Sequence, residues 1–172
     1  VGTNVINMER KIGLMLCLDE YVDGRSKCIY SYTDVLERRV READGVIGAV
    51  LIPDASAPKL LRKDMLPTMI PGSWFVDIAI DQGGCAETSK ATTHADPTFV
   101  VDDVVHYCVA NMPGAVPLTS ALALNHSVLP YALNLATKGW KDALEGNANF
   151  LNGLNVCQGK ITHEAVAQAI SL

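Results

Sequence analysis

The chain has 172 residues, enough for one compact domain and part of a second, which excludes a large two-domain enzyme with both halves complete. Hydrophobic residues make up 49% and charged residues 19%, a composition typical of a chain with a buried core and not of a disordered one. The 19 acidic and 14 basic residues give a net charge of −5 without an extended basic cluster, so we expect no nucleic-acid partner.

The lengths of the apolar runs and the distribution of cysteines predict a soluble, cytoplasmic protein. No apolar run approaches the roughly 18 to 20 residues of a membrane span, and the N-terminus lacks a signal-peptide pattern, so no membrane partner is expected. The five cysteines are odd in number, widely spaced and without a C-x-x-C pair, which predicts reduced, mostly buried thiols. The four histidines have no metal-ligand spacing with Cys, Asp or Glu, and no metal is predicted.

The first half of the chain alternates strand-like and helix-like segments. Three short apolar runs predict buried strands at Leu14–Leu18, Val46–Ile52 and Ser73–Ile80. The second of them is predicted to be a central strand, buried on both faces. Helices are predicted between the runs at Asp34–Ala43 and Lys59–Met69, and Asp34 and Glu37 have the spacing of a capping box. This alternation predicts an α/β fold with a parallel sheet.

The second half of the chain is predicted to complete the sheet and then become helical. Its last strand is predicted at Val104–Val109, after another apolar run at Thr98–Val101. Four further elements are predicted in chain order: a long helix at Ser120–Lys138, a short helix from Lys141, a hairpin at Val156–Ile161 and a helix from about His163. Thr162 is the expected N-cap of the last helix.

Two loops that follow predicted strands are candidate ligand-binding segments. In an open parallel sheet, ligands bind where loops converge at the carboxyl ends of the strands. One loop contains Asp81, whose carboxylate would project into this crevice, and Gly83-Gly84, which permit close approach of a ligand. The other is Ala110–Gly114. The residues alone leave open that Asp81 caps a turn and that the glycines form an ordinary turn.

Asp19 is a candidate ligand for a nucleotide ribose. An acid at the end of the second strand of a dinucleotide-binding fold binds the ribose hydroxyls, about 20 residues beyond a glycine fingerprint. Gly2 would be the last glycine of such a fingerprint. The alternative is that Asp19 is an ordinary acid at the end of a strand.

Five segments of the sequence resemble one enzyme family. They are EADGVIGAVLIP (42–53), APKL (57–60), VDIAIDQGGC (76–85), TTH (92–94) and VVHYCVANMPGAVP (104–117). Together they resemble NAD-dependent alanine dehydrogenase, and the resemblance runs from Gly2 to the end of the chain. The related NAD-binding subunit of proton-translocating transhydrogenase shares the LIP and APKL elements but lacks the IDQGG loop. That loop therefore favours alanine dehydrogenase.

The resemblance implies a reaction, a cofactor and a set of site residues. The reaction is the NAD-dependent oxidative deamination of L-alanine to pyruvate and ammonia, and its reverse. Asp81 takes the place of the family's catalytic aspartate, which organises water and proton transfer beside a histidine. The positions that match cofactor contacts are Gly2, Asp19, Ser31, Val50, Leu51, Ile78, Ala79, Ile80, Asp81, Lys90, Val109, Ala110, Asn111 and Met112. The family's hexamer implies a homo-oligomer.

The resemblance also predicts how the chain is organised. Residues 1–117 resemble an NAD-binding domain of the Rossmann type without its first strand, and residues 118–172 resemble a connecting helix and the C-terminal segment of the substrate domain. The family's catalytic histidine and its substrate-binding arginine and lysine belong to an N-terminal half that has no counterpart here. Asp54, Ser56 and Leu118 depart from the family pattern.

We therefore expect the chain alone to be inactive, because hydride transfer needs both halves to close on the substrate. Two alternatives remain open. One is a non-catalytic NAD-binding or assembly module that works through a partner chain. The other is a product without a function of its own, which would fold poorly because a sheet without its first strand exposes apolar edges.

Overall fold

The computed structural model describes residues 3–22, 26–52 and 56–170. The strands are β1 (Val5–Glu9), β2 (Ser26–Tyr30), β3 (Gly45–Gly48), β4 (Trp74–Asp77), β5 (Thr98–Val101), β6 (Val104–Tyr107), β7 (Val156–Cys157) and β8 (Lys160–Ile161). The α-helices are α1 (Ile12–Val22), α2 (Thr33–Glu42), α3 (Pro117–Lys138), α4 (Trp140–Glu145), α5 (Ala148–Leu151) and α6 (Glu164–Ile170). Short 3-10 helices lie at Lys63–Thr68, Ile78–Gln82 and Met112–Ala115. None of the helices in these three ranges is long and apolar enough to cross a membrane.

The strands form parallel groups, which confirms the predicted α/β class. β1 pairs with β2, and β3, β4 and β6 lie side by side, all in parallel, with β5 antiparallel on the outer edge of β6. Asp102 and Asp103 both have positive φ and form the tight turn between β5 and β6. The orders β2-β1 and β3-β4-β6 are those found on either side of the first strand in a doubly wound sheet of order 3-2-1-4-5-6.

The strand predicted at Leu14–Leu18 is wrong, because this run lies inside helix α1. The parallel strands of this region are β1 and β2, which precede and follow the helix. By periodicity alone, five consecutive apolar residues fit a buried strand or a helix equally well. The run consists of leucines, a methionine and a cysteine, and it lacks the β-branched residues that favour strands.

Two other strands are shorter than predicted. β3 covers only Gly45–Gly48 and forms one edge of its four-stranded group, with Ile47 exposed. The prediction of a central strand buried on both faces is therefore wrong, because within the described ranges no strand pairs with its outer edge. β4 ends at Asp77, before the predicted Ile80, because the chain turns there into a 3-10 helix.

The helix predicted at Asp34–Ala43 is confirmed as α2, but the capping box does not form. Tyr32 occupies the N-cap position without a side-chain hydrogen bond to the helix. The carboxylate of Glu37 instead accepts a hydrogen bond from the Arg62 guanidinium at 2.8 Å. The helix predicted at Lys59–Met69 is the shorter 3-10 helix Lys63–Thr68.

The C-terminal elements lie where the sequence predicts them. Helices α3, α4 and α6 and the β7–β8 hairpin are all present. Thr162 does not cap α6 through its side chain, because its hydroxyl donates to the Leu154 carbonyl. Helix α3 has no buried residue, and its large apolar side chains range from 38% exposed at Leu135 to 76% exposed at Leu118.

The core lies between helix α2, the Lys63–Thr68 segment and the β3-β4-β6 group. Phe75 on β4 is among its largest fully buried side chains. His106 on β6 is also fully buried, with its ring packed against Phe75 and Phe99. Both ring nitrogens of His106 have partners, the Val104 carbonyl at 3.0 Å and the Thr88 hydroxyl at 2.9 Å. This packing holds β4 and β6 in place beneath the loops that follow them.

Candidate functional site

Most of the predicted site residues directly follow parallel strands. They are Ser31 after β2, Val50 and Leu51 after β3, Ile78–Asp81 after β4 and Val109–Met112 after β6. Because β3, β4 and β6 are parallel, the loops that follow them leave the sheet at the same carboxyl edge. Gln82 Nε2 lies 3.5 Å from the Ile52 carbonyl oxygen and so connects the loop after β3 with the loop after β4.

Glu9 is the acid at the end of strand β1, and the sequence analysis missed it. Its Oε1 accepts hydrogen bonds from the backbone N–H groups of Lys11 at 3.0 Å and Arg10 at 2.7 Å, which lower the pKa of Glu9 below its usual value. The N–H of Ser31 donates to the Glu9 carbonyl at 3.0 Å, so these two residues are adjacent. Oε2 of Glu9 accepts no hydrogen bond from the described part of the chain. An acid directly after a strand-like segment was the signal available in the sequence.

Asp19 does not lie at the end of a strand. It is exposed on helix α1, so the geometric reason for assigning it to a ribose is absent. Glu9 occupies the strand-end position that the general geometry of dinucleotide-binding folds gives to the ribose acid. Gly2 and Asp54 lie outside the described residues.

Asp81 is exposed on the 3-10 helix that follows β4, between the buried Ile80 and the glycine pair. Its carboxylate makes no hydrogen bond or ion pair with the residues that the structure describes. The alternative that the Asp81 side chain caps a turn is therefore not observed among the described residues. Gly83 ends the 3-10 helix with a φ of 87°. The loop thus presents the Asp81 carboxylate to solvent at the carboxyl edge of the sheet.

Two charged residues that the sequence analysis did not single out contact this loop. Asp77, the last residue of β4, is fully buried and accepts the backbone N–H of Cys85 at 2.9 Å. Lys59 donates from Nζ to the carbonyl oxygens of Gly83 at 2.5 Å and Gly84 at 2.8 Å. Burial, together with the nearby Asp77, raises the pKa of the Cys85 thiol to about 12. Cys85 is therefore a packed thiol and not a nucleophile.

The loop after β6 has a strained backbone at its centre. Asn111 lies in the left-handed region with φ of 56°, a conformation that asparagine tolerates better than most residues. Its carbonyl oxygen is 3.0 Å from Nε2 of His94, which belongs to the TTH segment. Val109 is fully buried and pairs with Thr92, so this segment runs alongside the end of β6.

The remaining candidate positions surround the same edge. Leu51 after β3 is 73% exposed and Val50 is half-buried. Ile78 is exposed beside the buried Ala79. Lys90 is exposed, in the segment between Ser89 and Thr92 that leads to the partner of Val109. Exposed apolar and cationic side chains thus accompany Asp81 at the carboxyl edge.

The parallel strands and the loops gathered at their carboxyl edge define the doubly wound α/β class, in which dinucleotides bind at that edge. Within this class, the sequence model described as "Alanine dehydrogenase/PNT, C-terminal domain" matches residues 1–164. The chain belongs to this family.

Relatives of high identity are alanine dehydrogenases. The chain is 55% identical to the enzyme of Halomonas elongata and 48% identical to that of Mycolicibacterium smegmatis, each over 172 residues that cover 100% of this chain and 46% of the relative. A solved structure of L-alanine dehydrogenase has a TM-score of 0.85 at 43% identity, covering 97% of this chain and 46% of that one. A transhydrogenase structure from Sinorhizobium meliloti shares the fold, with a TM-score of 0.65 at 20% identity over 94% of this chain and 50% of that one. The chain spans about half the length of these relatives.

Proposed function

We propose that this chain is the nucleotide-binding half of an alanine dehydrogenase. An alanine dehydrogenase converts L-alanine, water and NAD⁺ into pyruvate, ammonium, NADH and a proton. The observation that carries the proposal is the placement of the family's motif loops at one carboxyl edge, with the Asp81 carboxylate exposed among them. Similarity to alanine dehydrogenases along the whole chain supports the same reaction.

Two sets of groups fit NAD, one at the ends of β1 and β2 and one at the carboxyl edge of the β3-β4-β6 group. Oε2 of Glu9 is available to accept a hydrogen bond from a ribose hydroxyl, and Ser31 lies beside it. We therefore assign the ribose to Glu9 in place of Asp19. The exposed side chains of Leu51 and Ile78 supply apolar surface for flat rings. Ala79–Asp81, Lys90 and Val109–Met112 complete the contacts. NAD⁺, when bound, accepts the hydride from the alanine Cα.

Asp81 is the catalytic residue that this chain contributes. Its carboxylate is exposed beside the proposed nicotinamide site and holds no partner from the described residues. It can therefore bind and orient the water that replaces the amino group, and it can accept a proton from that water. The backbone of the 3-10 helix, anchored by the buried Ile80, keeps the carboxylate at this place.

Residues 118–172 belong to the substrate domain, and residues 1–117 form the NAD-binding domain. The exposed apolar side chains of α3 support this division, because such a surface is unfavourable in water and needs a covering partner. The remaining half of the enzyme covers α3 and supplies the groups that bind alanine. Assembly as a homo-oligomer and a cytoplasmic location are part of the same proposal.

A hybrid enzyme tests the proposed function. In it, this chain replaces the matching 46% of the Halomonas elongata alanine dehydrogenase. We expect the hybrid to reduce NAD⁺ with L-alanine and the 172-residue chain alone to show no turnover. Asp81→Asn should lower kcat by about 100-fold or more, the size of a lost proton-transfer group, while NADH binding weakens far less, because many other positions also contact the cofactor.

Asp102→Asn is the matched control, because Asp102 is an exposed aspartate in the β5–β6 turn, at the opposite end of β6 from the candidate loop. Asparagine tolerates the positive φ there, so kcat should not change. A folded hybrid that binds NADH and does not oxidise alanine would contradict the proposed function. Full activity of the Asp81→Asn hybrid would contradict the role of Asp81.

A further inference from the structure

One peptide group in the loop after β4 is held between two opposite charges. The Gly84–Cys85 peptide offers its carbonyl oxygen to Lys59 Nζ at 2.8 Å and its N–H to Asp77 Oδ2 at 2.9 Å. Lys59 Nζ also donates to the preceding carbonyl, that of Gly83, at 2.5 Å. A cation on the oxygen and an anion on the N–H both align with the dipole of the peptide group. The arrangement thus holds this peptide plane in a single orientation.

The anion of this arrangement, Asp77, is buried and hydrogen-bonded to the loop. Asp77 is fully buried and forms no ion pair with the described residues. Its oxygens instead accept the Cys85 N–H, the Ser89 hydroxyl and the Cys85 thiol, the last at 3.5 Å. A buried carboxylate is costly unless such hydrogen bonds satisfy it. Within the described structure, the hydrogen-bond partners of the Asp77 side chain all lie in residues 85–89, so this carboxylate holds the end of the loop.

The backbone that carries the cation, Lys59, is hydrogen-bonded to the same loop. The backbone on both sides of Lys59 is hydrogen-bonded to the loop after β4. Ala57 N–H donates to the Gln82 carbonyl at 3.0 Å, and Leu60 N–H donates to the Cys85 carbonyl at 2.8 Å. Ala57 is buried. Lys59 therefore starts from a fixed backbone position, although its side chain is exposed, and only its amino group has to be held.

Gly84 lies so close to Asp77 and Ser89 that no side chain fits at this position. An added Cβ at Gly84 would lie 2.7 Å from Asp77 Oδ2 and would overlap with Ser89. The loop is thus pressed directly onto the buried carboxylate. Asp81, three peptide groups earlier, has no side-chain partner among the described residues, so its position depends on the backbone on both sides, the 3-10 helix that contains it and the loop that follows.

We propose that Lys59 and Asp77 form a peptide clamp that positions Asp81 for the reaction. The peptide clamp consists of Lys59, Asp77 and the Gly84–Cys85 peptide. The polar atoms of both side chains are hydrogen-bonded to residues 83–89, so we assign both as positioning residues. The inference rests on the proposed function, because it gives Asp81 a defined place relative to the bound reactants. Displacement of a catalytic group by about 1 Å can cost about 100-fold in rate.

The test compares lysine variants in the hybrid enzyme. Lys59→Met removes the amino group and keeps an unbranched side chain as far as Cε, and we expect kcat to fall about 10- to 100-fold while the Kd for NADH changes by less than about threefold. Lys59→Arg keeps a cationic donor, so its kcat should be about tenfold higher than that of Lys59→Met. Lys63→Met is the matched control, since Lys63 is an exposed lysine of the same segment with no side-chain partner in the described structure, and it should leave kcat unchanged.

Amide hydrogen exchange supplies a readout that does not depend on turnover. In Lys59→Met the Cys85 amide should exchange at least about tenfold faster, while the core amides of β4 and β6 keep their protection. Asp77→Asn should show the same pattern and a kcat at least as low. A Lys59→Met hybrid with wild-type kcat, or one that loses NADH binding and core protection together with kcat, would overturn the peptide clamp.

Failure of the proposed function has a different signature. A wild-type hybrid that binds NADH, keeps its Cys85 amide protected and does not oxidise alanine would overturn the reaction, and with it the clamp as a device for that reaction. Wild-type turnover combined with full activity of Lys59→Met would overturn the clamp alone.

Discussion

Replacing Gly84 by alanine measures how tightly the loop after β4 packs on Asp77. The φ of 76° at Gly84 lies in the left-handed region, where a residue with a Cβ loses about 1–2 kcal/mol. The new Cβ would lie 2.7 Å from Asp77 Oδ2, and overpacking of this kind costs about 1–3 kcal/mol. We therefore expect Gly84→Ala to lower the free energy of unfolding by about 2–5 kcal/mol.

Gly83 provides the matched control for this measurement. Its φ is 87°, and nothing lies within 4 Å of an added Cβ, so Gly83→Ala should cost only the conformational part, about 1–2 kcal/mol. Urea unfolding of the two hybrid variants, followed by tryptophan fluorescence, compares them directly. The midpoint of Gly84→Ala should fall clearly below that of Gly83→Ala. Equal midpoints would refute the close packing of the loop on Asp77.

Two further predictions concern a buried thiol and the ribose acid. Burial, with Asp77 nearby, raises the pKa of Cys85 to about 12, whereas Cys17 is exposed. Iodoacetamide at about pH 8 should therefore modify Cys17 and spare Cys85 in the native protein, and modification of Cys85 detected by peptide mass mapping would contradict its burial. Glu9→Gln should weaken NADH binding about 10- to 100-fold in a calorimetric titration, because a hydrogen bond to a charged group is lost, while Asp19→Asn leaves it unchanged. The opposite ranking would return the ribose to Asp19.

Local sequence patterns predict a strand correctly where β-branched residues and a turn signal occur together. The run around β6 is rich in valine and follows the Asp102-Asp103 pair, and both features are typical of a strand after a tight turn. The run Leu14–Leu18 has comparable hydrophobicity without β-branched residues, and it is helical. The hydrophobicity of the two runs predicts a strand for both, and the difference in side-chain shape explains why only the valine-rich run is one.

The contacts of the candidate site were beyond the reach of local patterns. Two aspartates lie close together near the end of β4, and only folding decides that Asp77 is buried and Asp81 exposed. Lys59 meets the glycine carbonyls across separations of 24 and 25 residues, which no spacing rule encodes. The role proposed for Asp81 comes from the family resemblance, and the structure shows which residues hold its loop.

The amounts of pyruvate and NADH formed by the hybrid enzyme decide whether this chain supports alanine oxidation. We expect L-alanine and NAD⁺ to yield pyruvate and NADH in equal amounts, Asp81→Asn to slow the formation of both, and omission of L-alanine to abolish both. NADH formation without pyruvate, or no formation of either by a folded hybrid that binds NADH, would contradict the claim that this chain is the nucleotide-binding half of an alanine dehydrogenase.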